Sequence, residues 1–191
     1  MTVETPWGYS VSSLDSLISV AEFRALCPNL SSTDSQIEAV LSAVSGAIRD
    51  YCGWHVSPSI QCTFTGTGEG RLLMLPAMGV RSVESLKVGG SEVADFEWLS
   101  SGMVRLSYGH FPDSWRSVTC VYTAGFDAVS IAQVVAQISA NALVAAPGVA
   151  NERAGNVSIT YNQTGTGITG GVSLLARDYA LLAPYVLKRA R

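Results

Sequence analysis

A strand-rich block between two helical patterns constrains the fold of this chain more than any other feature. Residues 75–127 form a run of short β-type segments that ends in Thr123-Ala124-Gly125-Phe126-Asp127. An almost charge-free segment of helical character, residues 128–146, follows directly. Because helical patterns flank the strands on both sides, the order predicts an α+β protein: a small helical bundle with an inserted antiparallel β-meander or sandwich-like subdomain.

The segment before the block has the clearest helical pattern. A short helix is predicted from Ser19 to Leu26, and Thr33 with Gln36 fits a capping box that starts a longer one. Gly53 is placed to end the longer helix. Its apolar face is predicted to be Ile37, Val40, Leu41, Val44, Ala47, Ile48, Tyr51 and Cys52. Its opposite face carries Glu38, Ser42, Ser45 and Arg49.

From Pro58 the hydrophobic period changes to alternation, which predicts strands. The glycine-rich residues 66–70 are expected to be a turn, so that residues 71–75 pair back on the strand before it. Residues 80–88 alternate imperfectly, which predicts a bulge. Gly89-Gly90 fits a two-residue hairpin turn.

The C-terminal third is less regular. Residues 164–171 are glycine-rich and are expected to form a flexible loop, and residues 172–187 to form a final helix that Pro184 kinks. The predicted division of the chain follows from these elements. Residues 1–18 are a flexible leader, residues 19–57 and 128–191 form the helical core, and residues 58–127 are the β-rich insert.

The composition limits the class of protein. Hydrophobic residues make up 48% of the 191 residues and charged residues 14%, against about 25% charged residues in a typical soluble domain. Such a chain is not disordered, and much of its surface is uncharged, as on proteins covered by partners or by copies of themselves. Polar residues interrupt the apolar segment 128–146, so it is interpreted as a buried helix and not as a membrane span.

The charge pattern argues against a dedicated nucleic-acid binder. The formal net charge is −3, whereas such proteins normally have a basic face. Lys188, Arg189 and Arg191 nevertheless place three of the twelve basic residues within the last four positions. Two interpretations remain open: a tail that touches DNA or an acidic partner, or a solvated C-terminus that complements a helix dipole.

Catalytic, metal and cofactor sites are not predicted. Only His55 and His110 are candidate general bases of the usual kind, and neither lies in a recognisable catalytic pattern. The pair Cys52 and His55 superficially resembles part of a metal site, but no second pair completes it. The four cysteines show no paired spacing and are expected to be reduced.

The order of the motifs resembles the head–tail connector proteins of long-tailed bacteriophages, also called adaptor or head-completion proteins. The resemblance covers about residues 31–146 and lies in the sequence of structural motifs, not in any single one. These motifs are the capped helix ending in Tyr51-Cys52-Gly53-Trp54, Leu75-Pro76, Val80-Arg81-Ser82-Val83, Gly89-Gly90, Phe96-Glu97-Trp98, Gly102-Met103-Val104-Arg105, Phe111-Pro112 and residues 118–127.

The resemblance implies a structural virion protein and no enzyme. By analogy with the family, copies are expected to form a ring of twelve between the portal protein and a tail-side neck or terminator protein. The ring would extend and seal the channel for genomic DNA, without sequence-specific binding, and would offer a docking surface for the tail. The protein is then expected in the virion neck, assembled in the host cytoplasm, with no cofactor and no membrane.

Two surfaces are predicted for these contacts. A neighbouring ring, such as the portal, is expected to meet the C-terminal residues Tyr185, Lys188, Arg189 and Arg191. A subunit interface is expected on the small-residue side of the 128–146 helix, at Ala132, Ala136, Ala140 and Leu143. The alternatives are a tail-terminator or other neck protein of the same virion and, third, a small enzyme with a polar cleft.

Overall fold

A computed structural model describes residues 2–144, 151–154, 157–160, 163–165, 168–169 and 174–187, with the backbone alone at residues 128, 130 and 151–169. The chain divides into two units. The β unit comprises Met1–Leu14, Cys52–Asp127 and Tyr185–Arg191, and the helical unit comprises Asp15–Tyr51 and Ala128–Pro184. The β unit therefore includes both chain ends, which the predicted division had assigned to a leader and to the helical core.

The β unit contains two antiparallel sheets, and the fold is α+β as predicted. The six-stranded sheet has the order β1-β2-β3-β9-β5-β6 and the three-stranded sheet the order β4-β8-β7. The strands are β1 (Val3–Glu4), β2 (Tyr9–Val11), β3 (Ile60–Gly66), β4 (Leu72–Met74), β5 (Val80–Val88), β6 (Ser91–Glu92), β7 (Phe96–Trp98), β8 (Met103–Leu106) and β9 (Val118–Ala124).

Strand β9 is the centre of the larger sheet. Its residues alternate strictly between buried and half-buried positions, so Val118, Cys120 and Tyr122 lie in the core. It pairs along its whole length with β3 on one side and with β5 on the other. The β5 ladder has two register shifts, which confirm the predicted bulge. Gly89 and Gly90 have φ angles of +59° and +85° in the predicted hairpin turn.

One predicted strand pairing is wrong. Strand β4 does not pair back on β3 but pairs with β8 in the second sheet. The reason is competition for one edge: β9 matches β3 over seven residue pairs, and β2 occupies the other edge of β3. The glycine-rich residues 66–70 consequently cross from one sheet to the other instead of closing a hairpin.

The predicted loose leader is also wrong where the structure describes it. Strands β1 and β2 extend the six-stranded sheet, and Tyr9 and Val11 are buried. Leu17 and Ile18 are buried as well. Short strands of two or three residues carry too little periodicity to stand out in a sequence, so these residues read as a polar segment.

The described residues form four α-helices, and the helical unit holds all of them except Cys52, the last residue of the second helix. The helices are α1 (Val20–Leu26), α2 (Asp34–Cys52), α3 (Ala128–Val144) and α4 (Ala176–Leu182). Two short hairpins precede α4: β10 (Asn151–Ala154) with β11 (Val157–Thr160), and β12 (Gln163–Gly165) with β13 (Ile168–Thr169). Helix α3 packs against both α1 and α4.

Both predicted helix starts are confirmed. Ser19 caps α1, with its hydroxyl accepting from the Glu22 amide and the Glu22 side chain returning to the Ser19 amide. At α2 the amide of Gln36 donates to Thr33 Oγ1 over 3.3 Å, and the amide of Thr33 donates to Gln36 Oε1 over 3.0 Å. Each reciprocal pair satisfies two amides that have no partner inside the helix.

The solvent face predicted for α2 is wrong at two positions. Ser45 and Arg49 are buried. Ser45 Oγ donates to the Leu41 carbonyl and accepts from the Leu17 amide over 2.9 Å, while Arg49 donates to the Asp15 carbonyl over 2.6 Å. The chain before α1 covers this side of α2, a tertiary contact that helical periodicity does not reveal.

Two predictions for the C-terminal third need correction. The segment expected to be a glycine-rich loop contains strands β12 and β13, which pair as Gln163 with Thr169 and Gly165 with Ile168. The final helix is shorter than expected: α4 ends at Leu182, and Pro184 lies in a 3-10 turn, Ala183–Tyr185. The ring of proline prevents a preceding residue from continuing a regular helix, so the break occurs where Pro184 predicts it.

Candidate functional site

An aromatic joint ties the C-terminal segment to the β unit. Phe126 lies edge-on to Trp54, with ring centroids 5.6 Å apart, and edge-on to Tyr185 at 5.3 Å. The indole N–H of Trp54 donates to the Tyr185 carbonyl over 2.7 Å, and the Leu187 amide donates to the Cys52 carbonyl over 2.9 Å. The joint therefore holds residues 185–187 against Cys52, Trp54 and Phe126 within the β unit.

Gly125 explains the turn that ends β9. Its φ angle is +132°, and a Cβ atom there would lie 2.4 Å from the Pro58 carbonyl oxygen, so only glycine fits without a shift of the backbone. Two residues later, Asp127 accepts a hydrogen bond from Arg81 over 2.6 Å in an exposed ion pair. The sequence Gly125-Phe126-Asp127 therefore has a structural role: it forms the turn, packs the aromatic ring and makes the ion pair at the joint.

His55 is held in the core of the β unit and cannot meet a substrate. Its Nδ1 lies 2.8 Å from the Tyr9 hydroxyl and its Nε2 lies 2.9 Å from the Ala124 carbonyl oxygen. A carbonyl only accepts, so the partners assign the proton to Nε2, and Tyr9 donates to Nδ1. The Tyr9 hydroxyl also accepts from the His55 amide over 2.9 Å. Tyr9 and His55 therefore join the N-terminal strand, β9 and the Trp54 segment.

The outward side of the three-stranded sheet carries exposed apolar residues beside the charged Glu97 and Arg105, and we call it the outer sheet face. Cross-strand pairing sets its members: Leu72 opposes Arg105, Met74 opposes Met103 and Glu97 opposes Arg105. Met74 is 50% exposed and Leu99, just beyond β7, is 58% exposed. A depression of about 190 Å³ lies in this area, lined by Glu97, Trp98, Leu99, Met103 and Arg105. Exposed apolar area of this kind is typical of an interaction surface.

The second exposed surface is the loop between β8 and β9, which we call the aromatic loop (residues 107–117). Trp115 is 94% exposed and Tyr108 is 81% exposed. The base of the loop is fixed. The Phe111 ring packs against Gly68 so closely that a Cβ there would lie 2.3 Å from it, and the Thr67 hydroxyl accepts from the Arg116 amide. Trp115 thus extends into solvent from an ordered support.

The predicted subunit interface on α3 is only partly available. Ala136 is buried at 3% exposure, whereas Ala132, Ala140 and Leu143 are half-buried. The side of α3 that faces solvent carries Val129, Gln133, Gln137 and Val144. Helices α1 and α4 pack against α3, and Ala136 exposes little surface of its own. The interface at Ala132, Ala136, Ala140 and Leu143 stays a prediction.

The predicted C-terminal contact divides into two parts. The Tyr185 ring belongs to the aromatic joint of its own chain and is half-buried. Lys188, Arg189 and Arg191 lie outside the described residues. Sequence reasoning missed both exposed surfaces of the β unit, because a tryptophan or methionine in a strand-rich block reads equally well as core.

The described residues hold little that supports catalysis. No group of three or more His, Cys, Asp or Glu in them is placed to bind a metal ion. All four cysteines are free, and burial raises the pKa of Cys52, Cys62 and Cys120 to about 12, which keeps their thiols protonated and unreactive. Within the same part of the chain no helix is long and apolar enough to cross a membrane.

Comparison with known proteins places the fold among chains of phage-like particles. No family profile and no curated protein sequence matches the chain. A chain in the neck of an empty GTA particle, computed with C6 symmetry, is 18% identical with a TM-score of 0.62, covering 100% of this chain and 97% of that one. A chain in the neck of a native GTA particle, computed with C12 symmetry, is 19% identical with a TM-score of 0.59 and the same coverage.

A third solved structure agrees with these two. A chain in the virion of a native gene transfer agent (GTA) particle is 19% identical with a TM-score of 0.61, and the match covers 96% of this chain and 97% of that one. At such identities the likeness establishes the fold, and this fold is consistent with the head–tail connector resemblance found in the sequence. The chain therefore shares its fold, from end to end, with chains that stand in the neck of a gene transfer agent particle.

Proposed function

We propose that the chain is a structural neck protein of a tailed, phage-like virion. In this proposal its copies form a ring between the portal and the tail, where the ring extends the DNA channel, seals it after packaging and offers a docking surface to the tail. The observation that carries the proposal is the match to neck chains over 100% of this chain and 97% of theirs.

The symmetry of the similar particles supports a ring. Their necks were computed with C6 and C12 symmetry, and twelve copies of this chain would satisfy both. A ring needs two different faces on each copy, because a head-to-tail contact joins unlike surfaces. The chain offers exposed apolar residues on more than one face, among them Met74, Trp115 and Val129.

The charge of the chain suits a DNA channel. A net charge of −3 on 191 residues disfavours adhesion of the like-charged genomic DNA, so DNA would pass without sequence-specific binding. Lys188, Arg189 and Arg191 are then free for protein contacts. We assign these three residues, together with Tyr185, to contacts with the portal or another neighbouring ring.

Two further assignments belong to the same proposal. Ala132, Ala140 and Leu143 on α3 contribute to contacts between neighbouring copies in the ring. The protein resides in the neck of the virion, after assembly in the host cytoplasm, and it has no enzymatic role.

Co-sedimentation with purified portal rings tests this function. The full chain is expected to sediment with the portal, and a variant lacking residues 188–191 is expected to bind at least about tenfold more weakly, a loss of about 1.4 kcal/mol. Replacement of the same residues by glutamine keeps the length and removes the charge, which separates electrostatics from bulk. A chain that ignores the portal but sediments with tail tubes would instead be a tail-terminator or another neck protein.

A further inference from the structure

Two surfaces of the β unit are open to solvent, one an aromatic side chain and the other a depression. The first is Trp115, whose side chain is 94% exposed and has no polar or ring contact among the described residues. The second is the depression on the outer sheet face, lined by Glu97, Trp98, Leu99, Met103 and Arg105. A fully exposed tryptophan is rare on a monomer, and an apolar depression on a sheet face is a typical seat for an aromatic side chain.

The chemistry of the depression fits an indole ring. Leu99 and Met103 supply an apolar floor, and the thioether of methionine packs favourably against aromatic rings. The guanidinium of Arg105 can stack on the indole face, and the Glu97 carboxylate can accept from the indole N–H. Neither Glu97 nor Arg105 forms an ion pair within the described part of the chain, so both remain available. The depression has a volume of about 190 Å³, which corresponds to about six waters at about 30 Å³ each.

The support of Trp115 favours the same role. Phe111 is buried beneath the loop, its amide donates to the Gly70 carbonyl over 2.7 Å, and Thr67 bonds to both Ser114 and Arg116. A side chain held on an ordered loop loses little further freedom on binding, which is how pre-organised anchors gain affinity. Aromatic anchors of this kind contribute most of the energy of many interfaces.

We propose that Trp115 of one copy inserts into the depression between Leu99, Met103 and Arg105 of a second copy of this chain. Every copy carries one Trp115 and one depression. A copy can therefore insert its Trp115 into one neighbour while its own depression accepts Trp115 from the other neighbour. Such a contact runs head to tail, and it closes into a ring if the rotation per copy permits. The inference rests on the proposed ring and specifies the surfaces that join its subunits.

Directed disulfide formation tests the contact. In a Cys27→Ser background, which removes the most accessible native thiol, Ser114→Cys beside Trp115 and Leu99→Cys at the depression are placed on separate chains, so that the indole and Met103 stay in place. The two proteins are mixed and oxidised. The mixture is expected to give a covalent dimer, and a chain carrying both substitutions is expected to give a ladder of higher species. Tyr108→Cys mixed with Leu99→Cys is the matched control, since Tyr108 is an exposed residue of the same loop, and it is expected to give no dimer.

A non-covalent measurement complements the crosslink. Trp115→Ala is expected to weaken self-association in sedimentation velocity by at least about tenfold, as for a central anchor, and Tyr108→Ala by less than about threefold. Because Trp115 is almost fully exposed, circular dichroism of the variant is expected to match the parent. Absence of the mixed dimer at the highest soluble concentration, or unchanged association of Trp115→Ala, overturns the contact.

The outcomes also separate this contact from the proposed function. A ring seen in particles with Trp115 facing solvent would refute the contact and leave the ring intact. A covalent ladder from a chain that is absent from the particle neck would confirm the contact and refute the neck function. A reciprocal dimer that never extends would show the same two surfaces meeting in a two-fold dimer, which would overturn the head-to-tail arrangement.

Discussion

Removal of the Tyr9 hydroxyl probes whether the N-terminal strand is an integral part of the β unit. Tyr9 is 3% exposed, and its hydroxyl accepts from the His55 amide and donates to His55 Nδ1 over 2.9 and 2.8 Å. In Tyr9→Phe the ring remains and both partners lose their bond inside the core. Each lost bond costs about 1 kcal/mol net, and a buried amide without an acceptor costs about 1–3 kcal/mol. The substitution is therefore expected to destabilise the β unit by about 2–4 kcal/mol.

Urea unfolding followed by tryptophan fluorescence measures this loss. Trp54 reports on the site directly, because its ring centroid lies 5.0 Å from that of His55 and its side chain is fully buried. The midpoint is expected to fall while the dependence on urea stays unchanged, which identifies a change in stability and not in the surface exposed. Circular dichroism at the same concentrations reports whether the helical unit unfolds in the same transition.

Tyr122→Phe is the matched control. Tyr122 is also fully buried, and its hydroxyl has no hydrogen-bond partner of normal geometry among the described residues, apart from a weak approach to the Cys62 thiol. Removing an unsatisfied buried hydroxyl is expected to change stability by less than about 1 kcal/mol, or to raise it. If Tyr9→Phe proves as mild as Tyr122→Phe, the hydrogen bonds do not hold the N-terminal strand and the reasoning is wrong.

Three further predictions concern stability and thiol reactivity. Gly125→Ala is expected to destabilise the β unit by more than about 2 kcal/mol in thermal or urea unfolding, because its φ angle is +132° and the new Cβ would lie 2.4 Å from the Pro58 carbonyl oxygen. Gly90→Ala is the control, since Gly90 has a φ angle of +85° but open space around it, and its expected cost is about 1 kcal/mol. Equal losses for the two variants would contradict the packing argument. Of the four thiols, only Cys27 is expected to react rapidly with a disulfide reagent in the native state, and rapid modification of all four without unfolding would contradict the burial of the other three. Burial raises the pKa of those three thiols from a usual value of 9.0 to about 12, so the thiols of the unfolded chain lose their protons at lower pH than those of the folded chain. The stability that these thiols contribute is therefore complete below pH 9 and is expected to fall from pH 9 towards pH 12. In a Cys62→Ala variant this alkaline loss of stability is expected to be smaller.

The sequence predicted the elements that carry strong local patterns. The capping pairs of α1 and α2, the bulged strand β5, the Gly89-Gly90 turn and the extent of α3 as far as the structure describes it all follow from period, caps and turn chemistry within a few residues. Element bounds at α4 depend on Pro184, whose effect is also local. Each of these features is decided by residues that are neighbours in the chain.

The errors share a physical cause, because each depends on contacts between distant segments. Strand β4 pairs with β8 and not with β3, since β9 and β2 take both edges of β3. Arg49 is buried and donates a hydrogen bond to the Asp15 carbonyl, a contact that helical periodicity does not reveal. Trp115 and Met74 could not be distinguished from core residues for the same reason. Their residue types favour burial, but whether they are exposed is decided by the tertiary structure.

The same distinction applies to function. The order of structural motifs led to the connector resemblance, and the whole-chain likeness to neck chains agrees with it. The candidate surfaces, in contrast, emerged only from the folded β unit. Interfaces depend on which faces of the folded chain remain uncovered, so they are the part of the molecule that local sequence patterns predict least.

Cryo-electron microscopy of the virion neck tests the central claim most directly. The account predicts that this chain forms a closed ring between the portal and the tail, with density for its β unit and its helices in each copy and a lumen wide enough for duplex DNA. Labelling the chain at one terminus identifies it within the map. A neck that contains no ring of this chain, or particles that assemble and retain DNA normally after its gene is deleted, would contradict the account.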